Sequence, residues 1–400
     1  MTSPAYSQLG KSPYHGGKKL LIASAAVGAL GLLITGIAAF RDPRQAGFSY
    51  LVAFAYWSGL AVAGLVLLQI FHASHARWPT VLRRPLEAMA IALVPLAILF
   101  LPIAVGARLL FPWMNPPADL PGDILERLRF SGWYLNPHFF FGRAGLYFAV
   151  WVLVAVRLHR WSIRQDTDPD TALTSRQQRL AAAALPAVGL TFTFAAYDWL
   201  MSPSLGFHSE ILGLYWFGGS IAGVLSLLVL TGVLMSGPHS LGRHVQVDHY
   251  HSLGNLMLAF TAFWAWMAYS QGMLRWIANL PDEVPYLVAR AKPGWIGLTA
   301  FLVVGQFALP FFALLSKELK RTPRLLAAVG VWILAVHYLD LYWVLMPNLR
   351  PESPAPCLTD LTALAGVGGV ALAAAIAAMR GRHSMPVGDP YLEESLRYRP

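Results

Sequence analysis

The chain has 400 residues, of which 56% are hydrophobic and only 12% are charged. Soluble domains carry roughly 25% charged residues, so this composition excludes a water-soluble fold and requires that much of the surface face lipid. The net charge is +10. The single cysteine, Cys357, excludes disulfides within the chain, CxxC zinc sites, iron–sulfur clusters and covalently attached c-type haem.

Apolar stretches long enough to cross a bilayer recur along the chain. Backbone that faces lipid must be helical, because its peptide groups find no other partners, and a helical span needs roughly 20 residues. The first stretch is longer than the apolar region of a signal peptide and is interpreted as a retained helix. The connector 111–138 is expected to carry a short surface helix at Ile124–Phe130. The predicted spans are 19–40, 48–73, 86–110, 139–158, 180–201, 209–235, 251–279, 293–316, 324–346 and 358–379.

The lysine and arginine residues indicate the orientation. About two thirds of them fall on one side of the membrane when both chain ends are placed there, as the positive-inside rule predicts for the cytoplasmic side. An even number of helices places both chain ends on the same side of the membrane and keeps the basic connectors on that side. We therefore predict a multi-pass protein of the bacterial inner membrane with cytoplasmic N- and C-termini. The basic charge then reflects membrane topology, and no nucleic-acid partner is expected.

Two of the predicted helices share a sequence repeat. YWSGLAVAGLVLL at 56–68 and YWFGGSIAGVLSL at 215–227 agree at six of 13 positions. Chance similarity among small and aromatic residues is the alternative explanation. We predict an all-α integral membrane protein of about ten transmembrane helices, with two parallel-repeat four-helix bundles (helices 2–5 and 6–9) flanked by helices 1 and 10. The corresponding segments are 1–47 (N-terminus and helix 1), 48–201, 202–347 and 348–400 (helix 10 and tail).

Two acids lie at membrane depth, where ionisable side chains are costly and indicate function. Asp340 follows Arg324 by 16 residues, about 24 Å along a helix axis, and His337 lies on the same helical face. Asp198 lies near the outer end of helix 5, the equivalent helix of the other bundle. Arg275, near the outer end of helix 7, is expected to be the counter-charge of one of these acids. Together they predict an outer polar cavity that exchanges protons with the periplasm.

A second polar set lies at the inner helix ends. Together with the outer set it predicts two proton half-channels, each open to one side of the membrane. Simpler interpretations are an interfacial ion pair between Arg84 and Glu87, helix capping by Asp248, and ordinary interface positions for the histidines. The members of the inner set are His72, Arg84, Glu87, Asp248, His249 and Lys317.

Other site types find little support in the sequence. His337 has no evident histidine partner at the same depth, so bis-histidine haem b is not predicted. The sequence has no GxGxxG, P-loop or HExxH motif, which leaves nucleotide and zinc chemistry unsupported.

Several motifs resemble those of one family: RPLE at 84–87, YDWLMS at 197–202, DHYHSLGNLMLAF at 248–260, WIANLPDE at 276–283 and DLYW at 340–343. They resemble the ActF-type membrane subunit of alternative complex III, a bacterial quinol:cytochrome c oxidoreductase, within the polysulfide-reductase-type (NrfD-like) membrane subunits. The resemblance covers about residues 48–347 and is densest from helix 7 to helix 9. The start of helix 6 departs from the family's pattern, which puts a direct role for His208 in doubt.

The resemblance implies a subunit without redox cofactors of its own that contributes to proton translocation. His337, Asp340 and Asp198 match positions at which the family is thought to pass protons. The implied partners are a quinol-oxidising membrane paralogue of the ActC type, an iron–sulfur subunit, and multihaem and monohaem cytochrome c subunits. Haem c and iron–sulfur clusters would lie on those partners, and quinol would be the reductant of the complex.

Two alternatives stay open beside this interpretation. The chain could itself bind quinone near aromatic-rich helix ends, as a direct quinone-binding subunit. It could also be an independent ion-coupled transporter, since parallel repeats occur in transport folds.

Overall fold

The computed structural model describes residues 14–117, 120, 122–168, 171–205, 207–235, 241–279 and 284–399. These residues form helices and connecting turns without a β-strand, so the predicted all-α integral membrane fold is confirmed. The first part of the predicted cytoplasmic N-terminus and residues 280–283 of the motif at 276–283 lie outside the described residues.

In the described ranges, nine helical segments are long and apolar enough to cross a bilayer, and a tenth long helix lies at the remaining predicted span. This tenth helix has 32 residues but is less apolar, because histidines and amide side chains interrupt its apolar residues. In chain order the segments are α1 (Lys18–Arg41), α2 (Pro43–Ala73), α3 (Trp78–Val105), α4 (Pro137–Gln165), α5 (Ala172–Met201), α6 (Leu212–Leu234), α7 (Val247–Ala278), α8 (Pro293–Leu315), α9 (Pro323–Asn348) and α10 (Leu358–Met379).

Several helices begin earlier than predicted, and α2 and α5 show why. α2 begins at Pro43 because the Asp42 carboxylate accepts a hydrogen bond from the Gln45 backbone N–H at 2.9 Å and so caps the first turn. α5 begins near residue 172, since its arginine and glutamine residues are good helix formers although they are polar. Apolar stretches therefore locate the spans but miss the polar turns that extend them.

The centre of the molecule is formed by α2 and α6, the two helices that carry the sequence repeat. α2 contacts α3, α5, α6 and α10, and α6 also contacts α7 and α9. The two helices approach closely at Gly59, where a Cβ atom would lie 2.5 Å from Nε1 of Trp216. Because α2 and α6 pack directly on each other, the two predicted bundles would share one interface. The division of the chain into two repeated bundles stays a prediction.

α1 and α10 pack along each other at the edge of the molecule. The hydroxyls of Thr35 and Thr362 are hydrogen-bonded across this pair at 2.9 Å. Backbone hydrogen bonds also join the segment before α1 to the segment after α10, from Tyr14 N–H to the Arg382 carbonyl and from Gly381 N–H to the Tyr14 carbonyl. The start of α1 and the end of α10 therefore lie on the same side, as an even number of spans requires. That this side is cytoplasmic stays a prediction.

Three irregular segments shape the rest of the fold. The connector between α3 and α4 contains the predicted short helix, at Gly122–Phe130. α5 ends in a π-helical turn at Tyr197–Met201, and α8 contains another at Val303–Ala308. Such widened turns recur at functional sites, where they redirect individual side chains.

The tail after α10 folds back over the helix ends. The Asp389 carboxylate lies 2.5 Å from Nη1 of Arg83 at the start of α3. The Ser395 hydroxyl donates to the carbonyl of Trp78 at 2.6 Å, and the Ser395 side chain is fully buried. A short helix, Leu392–Leu396, holds this contact. The tail is thus an ordered cover on the side of the membrane where α1 begins.

Candidate functional site

Asp340 is fully buried where α9 faces α6 and α7. The Tyr215 hydroxyl on α6 donates a hydrogen bond to one carboxylate oxygen. The indole N–H of Trp264 on α7 donates to the other oxygen, with an N···O distance of 3.1 Å. Nδ1 of His337, one helical turn earlier, lies 3.7 Å from that second oxygen. The structure brings Asp340 and His337 together and adds two neutral donors that the sequence analysis did not single out.

The His337 ring lies against both central helices. Gly219 on α6 makes room for the ring, because a Cβ atom there would lie 2.5 Å from it. Nε2 is 3.4 Å from the Ser220 hydroxyl, and the ring centroid is 5.7 Å from that of Tyr56 on α2. Within the described residues Nδ1 has no hydrogen-bond partner. One ring nitrogen beside Asp340 is therefore left without a hydrogen bond in the described part of the chain.

No lysine or arginine nitrogen from the described part of the chain lies within 4.0 Å of the Asp340 carboxylate. An ionised carboxylate buried without a cation costs several kcal/mol. The Asp340 carboxylate is instead held by two neutral hydrogen-bond donors with a histidine nearby. The buried guanidinium of Arg290 lies in the same region but binds the backbone carbonyls of Tyr286, Trp343 and Val344.

The other membrane-depth acid, Asp198, is held quite differently. Arg143 on α4 binds both carboxylate oxygens, with Nε at 2.9 Å and Nη2 at 2.6 Å, and the Tyr147 hydroxyl donates at 2.8 Å. The guanidinium also lies 3.7 Å from the Tyr134 ring centroid and 4.4 Å from that of Phe139. Bidentate pairs of this kind fix both charge and geometry. Asp198 is thus part of a closed ion pair.

Arg275 is not the counter-charge that the sequence analysis expected. Its guanidinium donates to the Gln271 side-chain oxygen and to the His208 carbonyl, both at 3.4 Å, and lies 4.7 Å from the Phe207 ring centroid. These contacts are with its own helix and with the connector before α6. Asp198 pairs with Arg143 instead. Arg143 could not be predicted as the partner of Asp198, because 55 residues separate the two and no local sequence pattern links them.

A cavity of about 650 Å³ adjoins the Asp340 site between α7 and α8. Tyr215 and Trp264, the two donors to Asp340, form part of its wall. Its polar groups include Gln271, nine-tenths buried, whose Nε2 has no hydrogen-bond partner in the described residues. The remaining wall is mainly apolar and includes Leu302, Val303, Phe307, Phe311 and Trp343. The cavity can therefore hold an apolar molecule that carries a hydrogen-bond acceptor.

Glu87 lies at the centre of the inner polar set. It is almost fully buried, with its carboxylate 3.3 Å from Arg84 Nη1, 3.4 Å from Arg83 Nε and 3.2 Å from His159 Nδ1. Arg84 also pairs with Asp166 at 2.6 Å. Burial raises the pKa of the Asp166 carboxyl, although Arg84 acts in the opposite direction. Arg84 and Glu87 meet as predicted, but inside a buried network and not as an interfacial pair.

The tail covers this inner network. Asp389 pairs with Arg83, and an Arg382 guanidinium nitrogen contacts Nε2 of His159. Gly388 lies so close to Gln165 that a Cβ atom would be 1.7 Å from its carbonyl oxygen. Residues of the tail therefore cover Glu87 and its partners in this structure, and the half-channel on this side stays a prediction.

The predicted residues at the inner ends of α7 and α8 belong neither to the Glu87 network nor to the Asp340 site. Asp248 does not cap α7, because Gln246 occupies the N-cap position, and it pairs instead with Arg321 at 2.6 Å in an accessible position. His249 closes the same cap, accepting the Gln246 backbone N–H at Nδ1. Lys317 begins the short helix Lys317–Arg321.

His72 is buried at the end of α2 and lines a small cavity with His75 and Arg83. Its Nε2 has no hydrogen-bond partner in the described ranges. No three His, Cys, Asp or Glu side chains of the described residues gather in a way that could hold a metal ion.

Comparison of the chain with models of known protein families gives no match, and comparison with curated proteins gives none at a significant level. The family stays a proposal that rests on the sequence motifs.

Proposed function

We propose that the chain is a membrane subunit of a quinol-oxidising respiratory complex of the alternative complex III type, and that Asp340 and His337 form its proton-exchanging site. The observation that carries this proposal is a fully buried carboxylate with three polar neighbours and no arginine or lysine in contact with it among the described residues. The redox groups, haem c and iron–sulfur clusters, would belong to partner subunits.

The chemistry of the site suits reversible protonation of Asp340. When Asp340 is ionised, the Tyr215 hydroxyl and the Trp264 N–H stabilise it by hydrogen bonds. When Asp340 is protonated, the buried charge is removed at no cost to a cation. His337 is close enough to exchange a proton with it after a small movement or through one water molecule. Quinol oxidation elsewhere in the complex would bias the site between these two states.

Proton release per electron tests this function in the purified complex. Asp340→Asn keeps one acceptor oxygen for Tyr215 or Trp264, places an NH2 group at the other position, and cannot be protonated at neutral pH. We expect electron transfer to continue while proton release per electron falls. Tyr338→Phe, which removes a buried hydroxyl from the same helix without touching Asp340, is the control and should leave the ratio unchanged. An unchanged ratio in Asp340→Asn would falsify the proposal.

A second candidate function is direct quinone binding, which the cavity between α7 and α8 favours. A quinone carbonyl would accept the unpartnered Gln271 N–H, and the apolar wall would hold the isoprenoid chain. Gln271→Leu removes that donor, and Ala265→Phe fills part of the cavity. If quinone binds here, a photoreactive quinone analogue labels α7 or α8 in the wild type and labels both variants less. Labelling confined to a partner subunit excludes this function.

A further inference from the structure

A second cavity, of about 370 Å³, lies between α6 and α10 and is walled on its inner side by α2 and α3. Its walls are mainly apolar, and two of the polar side chains among them are already hydrogen-bonded. The Thr231 hydroxyl donates to the Leu227 carbonyl at 2.7 Å, and the Trp57 indole N–H donates to the Leu364 carbonyl at 3.0 Å. The Tyr14 hydroxyl lies in the wall formed by the segment before α1. A cavity with so few free polar partners suits hydrocarbon better than water.

The cavity is open to the surrounding lipid. Three leucines of its wall are substantially exposed, Leu20 at 54%, Leu234 at 77% and Leu372 at 43%. They belong to α1, α6 and α10, so the opening faces outward between these helices. A lipid chain can enter sideways from the bilayer without any rearrangement of the helices.

Basic residues flank this cavity at one end. Gly17 and Leu20 line it, and Lys18 and Lys19 lie between them in the chain. Met379 also lines it and is followed by Arg380. Lys18, Lys19 and Arg380 have no ion-pair partner among the described residues, and Nε of Arg380 makes no hydrogen bond there. The carboxylates that neutralise the neighbouring inner network, such as Glu87 and Asp389, are already paired with arginines.

We propose that this cavity is a binding site for an anionic diacyl phospholipid. One acyl chain occupies the cavity beside Met89 and Leu230, and the phosphate lies among Lys18, Lys19 and Arg380. The bound lipid would fill the seam between the α1–α10 pair and the central helices. It packs against the same turn of α3 that carries Glu87, since Pro85, Ala88 and Met89 line the cavity.

Native mass spectrometry of the purified, delipidated full chain tests the proposal. The probes are phosphatidylglycerol, phosphatidylcholine with the same acyl chains, oleate, and inorganic phosphate. We expect phosphatidylglycerol to be retained about fivefold more than phosphatidylcholine, because each nearby cation adds attraction for an anionic headgroup. The triple variant Lys18→Gln, Lys19→Gln, Arg380→Gln should lose this preference.

Two further variants separate the site from general effects of charge. Arg176→Gln, Arg179→Gln, Arg324→Gln removes the same charge from exposed positions away from the cavity and should keep the preference. Ala88→Phe fills the cavity and should lower retention of both phospholipids. The proposal is overturned if both triple variants behave alike, or if Ala88→Phe folds and binds phosphatidylglycerol normally. Retention of oleate as strong as that of phosphatidylglycerol, or of inorganic phosphate alone, also overturns it. Because the charge variants change only exposed or half-exposed side chains, they remain informative if Ala88→Phe fails to fold.

Discussion

The two membrane-depth acids occupy equivalent helices of the predicted repeat but have opposite environments. Asp198 is bound by a bidentate arginine and a tyrosine, whereas Asp340 is bound by a tyrosine and a tryptophan with a histidine nearby. Loss of the first carboxylate's charge would leave Arg143 buried without a partner, whereas no arginine or lysine is bound to the second among the described residues. Two acids at similar depth can therefore differ in whether a cation holds them.

The largest expected loss of stability comes from breaking the ion pair of Asp198 with Arg143. Arg143→Leu leaves a buried carboxylate unpaired, so the free energy of unfolding should fall by about 3–5 kcal/mol. Thermal denaturation in detergent and the yield of folded protein measure this loss. Arg157→Leu, an exposed arginine on the same helix, is the matched control and should change stability by less than about 0.5 kcal/mol. Equal stability of the two variants would show that the Arg143 pair is not structural.

The next largest loss of stability is expected when the tyrosines that bind the two acids are changed. Tyr215→Phe removes one of the two hydrogen-bond donors of Asp340, and about 1–3 kcal/mol of stability should be lost at neutral pH. Tyr147→Phe should cost less, because Asp198 retains both hydrogen bonds from Arg143. Differential scanning fluorimetry shows which of the two variants loses more stability. A larger loss in Tyr147→Phe than in Tyr215→Phe would contradict the account.

A smaller stability effect is expected when Asp340 itself is changed. Asp340→Asn should lower stability by only about 1 kcal/mol, because the amide oxygen still accepts a hydrogen bond. Asp198→Asn should be several times more damaging, since it leaves Arg143 without a counter-charge. Urea denaturation of both variants in the same detergent provides the comparison. Similar losses would remove the distinction between the two acids.

The smallest effect belongs to an exposed pair. Asp248 and Arg321 are as close as Arg143 and Asp198, at 2.6 Å, but their side chains are 19% and 40% accessible. Asp248→Asn should therefore change stability by no more than about 1 kcal/mol, and less in high salt. A salt series of melting temperatures checks this. A larger, salt-independent loss would mean that distance and not burial sets the strength of these pairs.

The sequence was sufficient for the fold class and for part of the site. Apolar length predicted all ten helical segments, because the bilayer imposes one length on every span. The i, i+3 spacing of His337 and Asp340 predicted that they share a helix face, since helix geometry is local. The same reasoning brought Arg84 and Glu87 together.

Contacts between distant helices could not be predicted in the same way. Tyr215 lies 125 residues from Asp340, and nothing in either local sequence specifies that α6 packs on α9 at that height. Arg143 was one of many arginines near a helix end. The folding of the tail over Glu87 was also not predicted, because the polar composition of the tail resembles that of a solvent-exposed extension. Each of these depends on tertiary packing, which periodicity does not encode.

The central claim is that Asp340 changes protonation state while Asp198 stays ionised. Infrared difference spectroscopy of the protein between acid and neutral pH measures this directly, through the C=O stretch of a protonated carboxylic acid. Exposed carboxyl groups contribute to this band in every variant, so the wild-type difference spectrum is compared with that of Asp340→Asn. The account predicts that one component of the carboxylic acid band is missing in Asp340→Asn and retained in Tyr338→Phe. Identical bands in the wild type and Asp340→Asn would contradict the account.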